Sequence, residues 1–300
     1  MRDLRTLLVG LQTAFPEGGL TLGSDRALDQ AIWVAQTAGA QVHLMHSTHG
    51  QGESGADASS ASALGAGDEP GLVEAVERCS ASGLEVTSEV TSLRPWRALV
   101  LAAVQGRGQL VVLGKRDSPT VEGRRLGSVA VKVLRKCPVP VWAVRPEHDQ
   151  NHKLILAATD LSEVGGRAVD LAAWVAENQG ARLHVVHALP NPEGLRGLEG
   201  EEREALLEEQ KVRAAAAVDK RISDGPFDGE SAVHLSRREP YLAIREAGEH
   251  LHPDLLVMGS LSTGGETGFL VGGTAERLLG RTNCSLLMMK PEGFICPVLP

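Results

Sequence analysis

The amino-acid sequence contains one long internal repeat, which is centred on two tryptophans. Residues 29–46 align with residues 170–187 at a constant offset of 141, so that Trp33 matches Trp174. Further along, residues 94–114 align with residues 239–259 at an offset of 145, which continues into LGSVAVKVL and VGGTAERLL. A repeat that covers most of a chain predicts two copies of one domain in tandem.

The boundary between the copies is predicted at residues 145–152, because RPEHDQNH is polar and contains a proline. We therefore assign residues 1–146 to the first domain and residues 147–300 to the second. The copies differ after their second strand. In the first copy, residues 50–71 are rich in Gly, Ser and Ala and predict a solvated loop. In the second, a long charged helix is expected, with two glutamates near its positive N-terminus.

Each copy shows the same alternation of strands and helices. Short runs rich in Val and Leu, such as LRTLLVGL, QVHLMHS, QLVVLG and PVPVWAV, have the length and continuous apolarity of strands covered on both faces. Helical patterns lie between these runs. Alternating strands and helices predict an α/β fold with two tandem doubly wound, Rossmann-like domains, each with a five-stranded parallel sheet.

Helix ends can be placed from capping residues. In the first copy, Ser24 or Asp25 is expected to cap a helix that stops at Gly39. In the second copy, Ser162 is expected to cap the matching helix, with Gly180 just beyond its end. A proline suits the first turn of the third helix in each copy.

Composition excludes several classes of protein. Of the 300 residues, 42% are hydrophobic, so the chain can bury the cores of two or three domains. A net charge of −8 and 3% aromatic residues argue against a nucleic-acid partner. The longest apolar run, residues 98–104, is far shorter than the roughly 20 residues that cross a bilayer. We therefore expect a soluble, cytoplasmic protein with no membrane partner.

Cysteines and histidines do not form a metal-site pattern in the sequence. The four cysteines are widely spaced and include no CxxC pair, which favours buried or idle thiols over a zinc site or a disulfide framework. His43 and His46, like His184 and His187, lie three residues apart on strands, so the two rings of each pair point to opposite faces. Roles in the core or at strand ends are the better interpretation.

A glycine-rich segment at residues 259–279, GSLSTGGETGFLVGGTAERLL, follows the fourth strand of the second copy. In parallel α/β sheets, ligands bind outside the carboxyl ends of the strands where the chain order reverses, which selects the loops after strands one and four. Glycines next to a helix start expose backbone amides that suit a phosphate. On these residues alone, a flexible connection is the favoured interpretation over a phosphate site.

The second copy resembles the universal stress protein domain. The resemblance rests on VMG, a Gly/Ser loop, GGTAERLL and an apolar strand before LMMKP. The presence of this pattern twice is similar to the tandem members of that family, especially those of the E type, and the resemblance covers nearly the whole chain. It implies a stress-response protein and, in nucleotide-binding members, a site for ATP or a related adenine nucleotide. Those members carry Gly, two residues, Gly, nine residues, Gly and then Ser or Thr, with an Asp after the first strand.

The resemblance implies a cofactor-binding site in the second copy, formed by Asp160, Ala188, Gly259, Ser262, Gly272, Gly273 and Thr274. Two positions depart from the family pattern. Ser262 stands where the second glycine belongs, and Gly273 stands where Ser or Thr belongs, although the hydroxyl of Thr274 follows immediately. Asp160 has two interpretations, a ribose contact or a cap of the following helix. Ala188 matches the position whose backbone lies near adenine.

The first copy keeps less of this pattern. Gln12 or Leu11 occupies the position of the Asp, and Asp117 replaces the second glycine. A carboxylate in a phosphate loop is unfavourable unless basic neighbours offset it, and the candidates are Lys115, Arg116, Arg124 and Arg125. We expect the first copy to be a domain that covers the other half and does not bind nucleotide.

Three classes of function are compared. The first is a non-enzymatic, nucleotide-responsive stress protein in which ligand occupancy orders residues 259–274 and changes contacts with an unidentified protein partner. The second is a ligand-free scaffold of the same fold. Enzyme activity is uncertain, since the sequence lacks P-loop, GxSxG and GxGxxG motifs, although weak ATP hydrolysis remains open and no catalytic residue is named. The fifth strands, PVPVWAV and CSLLMMK, are the expected pairing edge, within one chain or in a homodimer.

Overall fold

A computed structural model gives the structure of the chain and describes residues 4–14, 18–49, 69–115, 126–147, 151–190, 199–260, 272–279 and 281–298. Several predictions concern residues outside these ranges. They are those for most of residues 50–71, for Arg116, Asp117, Arg124 and Arg125, and for Ser262.

Strands and helices alternate along the described residues, as the sequence predicts. The strands are β1 (Thr6–Leu11), β2 (Gln41–Ser47), β3 (Val86–Thr91), β4 (Leu110–Gly114), β5 (Val141–Val144), β6 (Leu154–Thr159), β7 (Arg182–Ala188), β8 (Ser231–Ser236), β9 (Leu255–Gly259) and β10 (Ser285–Met289). The helices are α1 (Leu22–Ala38), α2 (Pro70–Ala81), α3 (Pro95–Val104), α4 (Ser128–Lys136), α5 (Glu163–Gln179), α6 (Gly200–Ser223), α7 (Pro240–Leu251) and α8 (Gly273–Leu279).

The chain forms two compact units. The first contains β1–β5, α1–α4 and β10, and its strands lie in the order β3-β2-β1-β4-β5-β10. The second contains β6–β9, α5–α7 and α8 up to Leu278, and its strands lie in the order β9-β6-β7-β8. Strands β1–β5 pair in parallel with their neighbours, and so do β6–β9. The predicted tandem, doubly wound α/β fold is confirmed.

The fifth strands of the two repeats pair with each other. β10 runs antiparallel to β5, with Leu287 opposite Trp142, and every residue of both strands is buried. This is the pairing edge that the sequence predicts, and it joins the two repeats within one chain. Because β10 completes the sheet of the first unit, the second unit keeps four of the five strands that its repeat encodes.

Two lysines are buried in the first unit, each with 3% of its surface exposed. The ammonium of Lys115 donates hydrogen bonds to the carbonyl oxygens of Cys284 and of Thr282, the latter at 3.4 Å. The ammonium of Lys290 donates to the carbonyl oxygen of Leu134 at 2.6 Å. Burial lowers the pKa of both lysines to about 8. The ammonium of Lys115 is thus bonded to backbone carbonyls. That it also offsets the carboxylate of Asp117 stays a prediction, because Asp117 lies outside the described residues.

The predicted N-cap of α1, Ser24 or Asp25, is wrong, whereas the predicted ends of α5 are confirmed. Thr21 caps α1, and its hydroxyl accepts a hydrogen bond from the Ser24 amide at 3.4 Å. Ser24 is not the cap because its hydroxyl accepts from the Gln12 amide at 2.8 Å. Ser162 caps α5 as predicted, and both helices end at a left-handed glycine, Gly39 or Gly180.

The long helix α6 carries Glu201 and Glu202 in its first turn, as predicted. Its buried residues, Ala214, Val218 and Ile222, all belong to the second half of the helix, so the first half contributes little to the core. Among the described helices, none has the length and apolarity that crossing a membrane requires.

Candidate functional site

A cavity of about 140 Å³ lies at the carboxyl end of the sheet in the second unit. It opens where β6 lies between β7 and β9, the position at which the chain order reverses. The described residues of the predicted site all line it, namely Asp160, Ala188, Gly259, Gly272, Gly273 and Thr274. The fold therefore brings together residues that are up to 114 positions apart in the sequence.

Asp160 follows β6 directly and has a fixed orientation. Its Oδ1 accepts hydrogen bonds from the backbone amide of Ser162 at 3.0 Å and from the Ser162 hydroxyl. Ser162 in turn caps α5 through the amide of Gly165 at 3.2 Å. The two interpretations of Asp160 are thus compatible, since the carboxylate supports the helix cap and is also exposed at the cavity.

Gly165 allows α5 to approach the end of β6. A Cβ atom at this position would lie 2.5 Å from Oδ1 of Asp160 and 2.8 Å from Oγ1 of Thr159. Both distances are shorter than a carbon and an oxygen tolerate, so only glycine fits while the carboxylate keeps its place. The sequence analysis did not select Gly165, although the Gly-Gly pair in the first turn of α5 was a signal for it.

The two ends of the glycine-rich segment meet at the cavity. The amide of Gly272 donates a hydrogen bond to the carbonyl oxygen of Ser260 at 2.7 Å. The first bond within α8 then runs from Glu276 N to the Gly272 carbonyl at 2.9 Å. Amides in the first turn of a helix have no acceptor within the helix, so those of Gly273 and Thr274 are left for a ligand or solvent. Among the described residues, no atom lies within 4 Å of the place that a Cβ atom on Gly273 would take.

The remaining lining of the cavity is mainly apolar. It includes Ala158, Val164, Val186, Ile244 and Met258, side chains that the sequence analysis did not assign to the site. A wider groove of about 1250 Å³ adjoins the cavity and shares Asp160, Ala188 and Pro240 with it. A flat aromatic group would find apolar contacts in the cavity, and the groove gives room for the rest of a larger ligand.

The backbone beside the cavity is held by a buried histidine and contains one strained residue. His187 Nδ1 lies 2.9 Å from the Thr159 carbonyl oxygen, which ties the ends of β7 and β6 together. Leu161 has a φ of 63°, in the left-handed region that side chains other than Asn, Asp and Gly rarely adopt. Its amide donates to the Thr159 hydroxyl at 3.0 Å.

His46 and His184 are buried and lie on β2 and β7, in agreement with their interpretation as strand-end or core residues. In the first unit, His46 Nδ1 lies 3.2 Å from the Leu11 carbonyl oxygen, which repeats the contact of His187. His184 Nδ1 lies 2.8 Å from His234 Nε2, and the two rings stack at 5.0 Å. In the described part of the chain, no group of three or more His, Cys, Asp or Glu side chains could hold a metal ion.

The first unit has a cavity of about 570 Å³ at the matching place, with different chemistry. Gln12 stands at the position of Asp160, and Ser128 and Val129 stand at those of Gly273 and Thr274. The backbone of α1 packs closely against the end of β4. A Cβ atom on Gly114 would lie only 2.1 Å from the Gly23 carbonyl oxygen, so glycine is required there. That the first copy does not bind nucleotide stays a prediction.

Each of the two copies matches a known protein family separately. Residues 20–145 and residues 151–290 each match the model of the Universal stress protein family. Universal stress protein E of Escherichia coli strain K12 is 24% identical over 217 residues, which cover 68% of each chain. The protein of the same name from Photorhabdus laumondii is also 24% identical, over 238 residues and 68% of each chain.

Solved structures support the fold along the whole chain. A protein of unknown function from Pseudomonas aeruginosa PAO1 aligns with 98% of this chain and 95% of its own at 20% identity, with a TM-score of 0.71. A universal stress protein from Archaeoglobus fulgidus aligns with 95% of this chain and 98% of its own at 20% identity, with a TM-score of 0.61. Since the family model matches both repeats, this chain belongs to the universal stress protein family.

Proposed function

We propose that the second unit binds an adenine nucleotide, ATP or a related one, and that the bound nucleotide changes the contacts of the chain with protein partners in a stress response. The observation that carries the proposal is the common cavity of the six described site residues, at the point of the sheet where ligands of such folds bind. The partner-responsive part of the proposal involves residues 261–271, which lie outside the described residues.

The chemistry of the cavity fits the parts of a nucleotide. The apolar lining suits the base, and the oriented carboxylate of Asp160 suits the ribose hydroxyls, which are hydrogen-bond donors. The amides of Gly273 and Thr274 suit phosphate oxygens, and the open space at Gly273 lets them come close. A phosphate group is repelled by Asp160, so the nucleotide has one favoured direction across the site.

Calorimetric titration of the full chain with ATP tests this proposal. We expect saturable binding, and we expect Asp160→Ala to weaken it about tenfold or more, since a hydrogen bond to a charged group contributes roughly 1.5–3 kcal/mol. Gln12→Ala is the matched control, because Gln12 takes the same position in the first copy. Absence of saturable heat with the unaltered chain would contradict nucleotide binding.

A ligand-free scaffold is the second candidate function. The Gly272 amide is already bonded to Ser260, and the cavity itself is smaller than the 300–1,000 Å³ usual for ligand pockets. This candidate predicts no ATP binding in the titration. Release of inorganic phosphate under excess ATP, measured on the same chain, separates slow hydrolysis from binding alone.

A further inference from the structure

The wide groove beside the candidate cavity lies between the carboxyl end of the sheet and α6. Its volume is about 1250 Å³, and it shares Asp160, Ala188 and Pro240 with the cavity but none of the lining residues of α8. In the proposed function, phosphate groups lie at the amides of α8 and the ribose lies at Asp160. A nucleotide bound in this way points its nucleoside half, and not its phosphates, toward the groove.

Arg237 lines this groove, and uncharged groups of α6 fix its orientation. Its Nη1 donates a hydrogen bond to Oε1 of Gln210 at 3.1 Å, and its Nη2 donates to the Leu207 carbonyl oxygen at 2.8 Å. Gln210 is fixed in turn, because its side-chain amide donates to the Pro190 carbonyl oxygen at 2.8 Å. A guanidinium has five N–H donors, so Arg237 keeps donors for a ligand while its position is set.

Arg237 differs from the other two arginines of the groove in its charge balance. Arg213 lies 3.8 Å from a carboxylate oxygen of Glu209, and Arg238 lies 3.3 Å from one of Glu246. Among the described residues, no carboxylate lies within 4 Å of Arg237, which is exposed. The groove thus offers an oriented cation whose charge no described carboxylate balances.

The sheet places Arg237 close enough to act on a ligand at Asp160. Ala188 pairs with Ser236, the residue before Arg237. Asp160 follows the last residue of β6, and the partner of that residue directly precedes Ala188. Neighbouring strands lie about 4.8 Å apart, so two strand spacings, roughly 10 Å, separate the backbones of Asp160 and Arg237. A substituent on the nucleoside half of the ligand can cover that distance.

Comparison of the repeats shows that these features belong to the second copy alone. At the position of Arg237, the first copy has Ser92. The matching helix of the first unit, α2, has 12 residues, whereas α6 has 24. Leu207 and Gln210 belong to the first half of α6, which contributes little to the core. The added length of α6 therefore gives the groove one of its sides and gives Arg237 its hydrogen-bond acceptors.

We propose that the ligand of the second unit is an adenine nucleotide with a second anionic group on its nucleoside half, and that Arg237 binds this group. The inference rests on the proposed function and narrows its ligand class. The group is either a phosphate on the ribose 3′ oxygen or a carboxylate substituent on the amino group of the base. A guanidinium binds phosphates and carboxylates alike through two parallel hydrogen bonds. Its charge also offsets the repulsion that Asp160 exerts on a second anion.

Calorimetric titrations of the full chain with three nucleotides test the proposal. The probes are AMP, adenosine 3′,5′-bisphosphate and N6-(1,2-dicarboxyethyl)-AMP, and the last two add a second anionic group to AMP on the ribose or on the base. We expect one of these two to bind about fivefold or more tightly than AMP, because hydrogen bonds between charged groups are the stronger ones. Arg237→Gln should remove this advantage and leave the affinity for AMP unchanged.

Arg182→Gln is the matched control, since Arg182 is an exposed arginine at the opposite end of β7, and this variant should keep the full advantage. Saturable binding of ATP together with no advantage of either charged analogue over AMP overturns this inference and leaves the proposed function standing. An advantage that persists in Arg237→Gln overturns it as well. If neither ATP nor any of the three probes binds saturably, the proposed function and this inference both fail.

Discussion

A Cβ atom on Gly165 would lie 2.5 Å from Oδ1 of Asp160. The first turn of α5 therefore packs directly against the carboxylate that we propose as the ribose contact. In Gly165→Ala, either the carboxylate moves or α5 withdraws from β6. We expect the free energy of unfolding to fall by about 1–3 kcal/mol, as for other overpacked sites. Urea unfolding measures the loss, and ATP affinity should fall with it.

Gly248→Ala is the control for that substitution. Gly248 lies inside α7, and a Cβ atom there would contact no atom of the described chain within 4 Å. Alanine has the higher helix propensity, so this variant should gain up to about 1 kcal/mol. Equal effects of the two substitutions would show that the contact with Asp160 is unimportant.

The strained backbone of Leu161 predicts that glycine is tolerated at this position. At its φ of 63°, glycine avoids the roughly 1–2 kcal/mol that a side chain costs in the left-handed region. Leu161 is 43% exposed, so Leu161→Gly also removes a partly buried apolar side chain, which costs about 1 kcal/mol. The relief of strain offsets this loss and the added flexibility of the unfolded chain, so we expect the free energy of unfolding to change by less than about 1 kcal/mol.

Leu22→Gly provides the contrast, because Leu22 is 42% exposed but lies in α1. Leu22 is the first residue of α1, where glycine relieves no strain, so Leu22→Gly loses a partly buried side chain and up to about 1 kcal/mol of helix stability. Thermal unfolding should therefore show a larger fall in Tm for Leu22→Gly than for Leu161→Gly. A loss at Leu161 as large as the loss at Leu22 would argue against backbone strain.

The buried lysines predict a rise in stability with pH. Burial holds the pKa of Lys115 and Lys290 at about 8 in the folded chain, below the ordinary value of 10.5. Above pH 8 the unfolded chain binds more protons, so the free energy of unfolding increases, by at most about 1.4 kcal/mol per pH unit for each lysine. Burial raises the pKa of Cys79 to about 11 and of Cys137 to about 12, which opposes this trend above pH 9.

Urea unfolding between pH 7.5 and pH 9 measures this effect. Lys290→Met should reduce the slope of stability against pH by about half, because one of the two lysines no longer titrates. Lys153→Met, at an exposed lysine, is the control and should keep the slope. If Lys290→Met also keeps it, the protonation of this ammonium does not differ between the folded and unfolded chain.

The contact between His184 and His234 predicts a loss of stability in acid. One ring nitrogen must donate and the other accept across their 2.8 Å, so the bonded pair cannot hold two full positive charges without repulsion. Burial lowers the pKa of both imidazoles, and the neighbouring ring lowers that of His184 further. As the pH falls below about 6.5, the unfolded chain takes up more protons and the folded state loses stability.

His234→Gln should make stability less dependent on pH between 6.5 and 5.5, since the amide can bond to His184 without titrating. His250→Gln is the matched control, because His250 is exposed and its Nδ1 contacts the Glu246 carbonyl oxygen of its own helix. Unfolding midpoints in urea at several pH values give the comparison. The same acid dependence in both variants would contradict a role for the imidazole pair.

The fold could be predicted from sequence because the repeat presents the same pattern twice. Ser162 and Gly180 mark the ends of α5 through local backbone chemistry, and local signals are legible in a sequence. Thr21 was missed as the cap of α1 because the hydroxyl of Ser24 accepts from Gln12 instead, a contact between residues 12 positions apart. Such a choice depends on tertiary structure.

The polar half of the site was more predictable than its apolar half. Asp160 and Gly272 belong to a sequence pattern that resemblance to the family identifies. Ile244 and Met258, in contrast, have the sequence pattern of ordinary core residues, and only the tertiary structure brings them to the cavity. The burial of Lys115 was not predictable either. Its ammonium donates a hydrogen bond to the carbonyl oxygen of Cys284, which is 169 residues away in the sequence. No local sequence pattern predicts such a contact.

Because β10 pairs with β5, the last strand of the second sequence repeat belongs to the first compact unit. The sequence repeats and the compact units therefore have different boundaries. A fragment that stops at the end of the first repeat would expose the hydrogen-bonding edge of β5, together with the apolar side chains that β10 covers, and such edges recruit other chains into aggregates. The remaining fragment would carry β10 without β5. A cut between the repeats therefore leaves both β5 and β10 without their shared antiparallel pairing, although the sequence repeat suggests a natural border there.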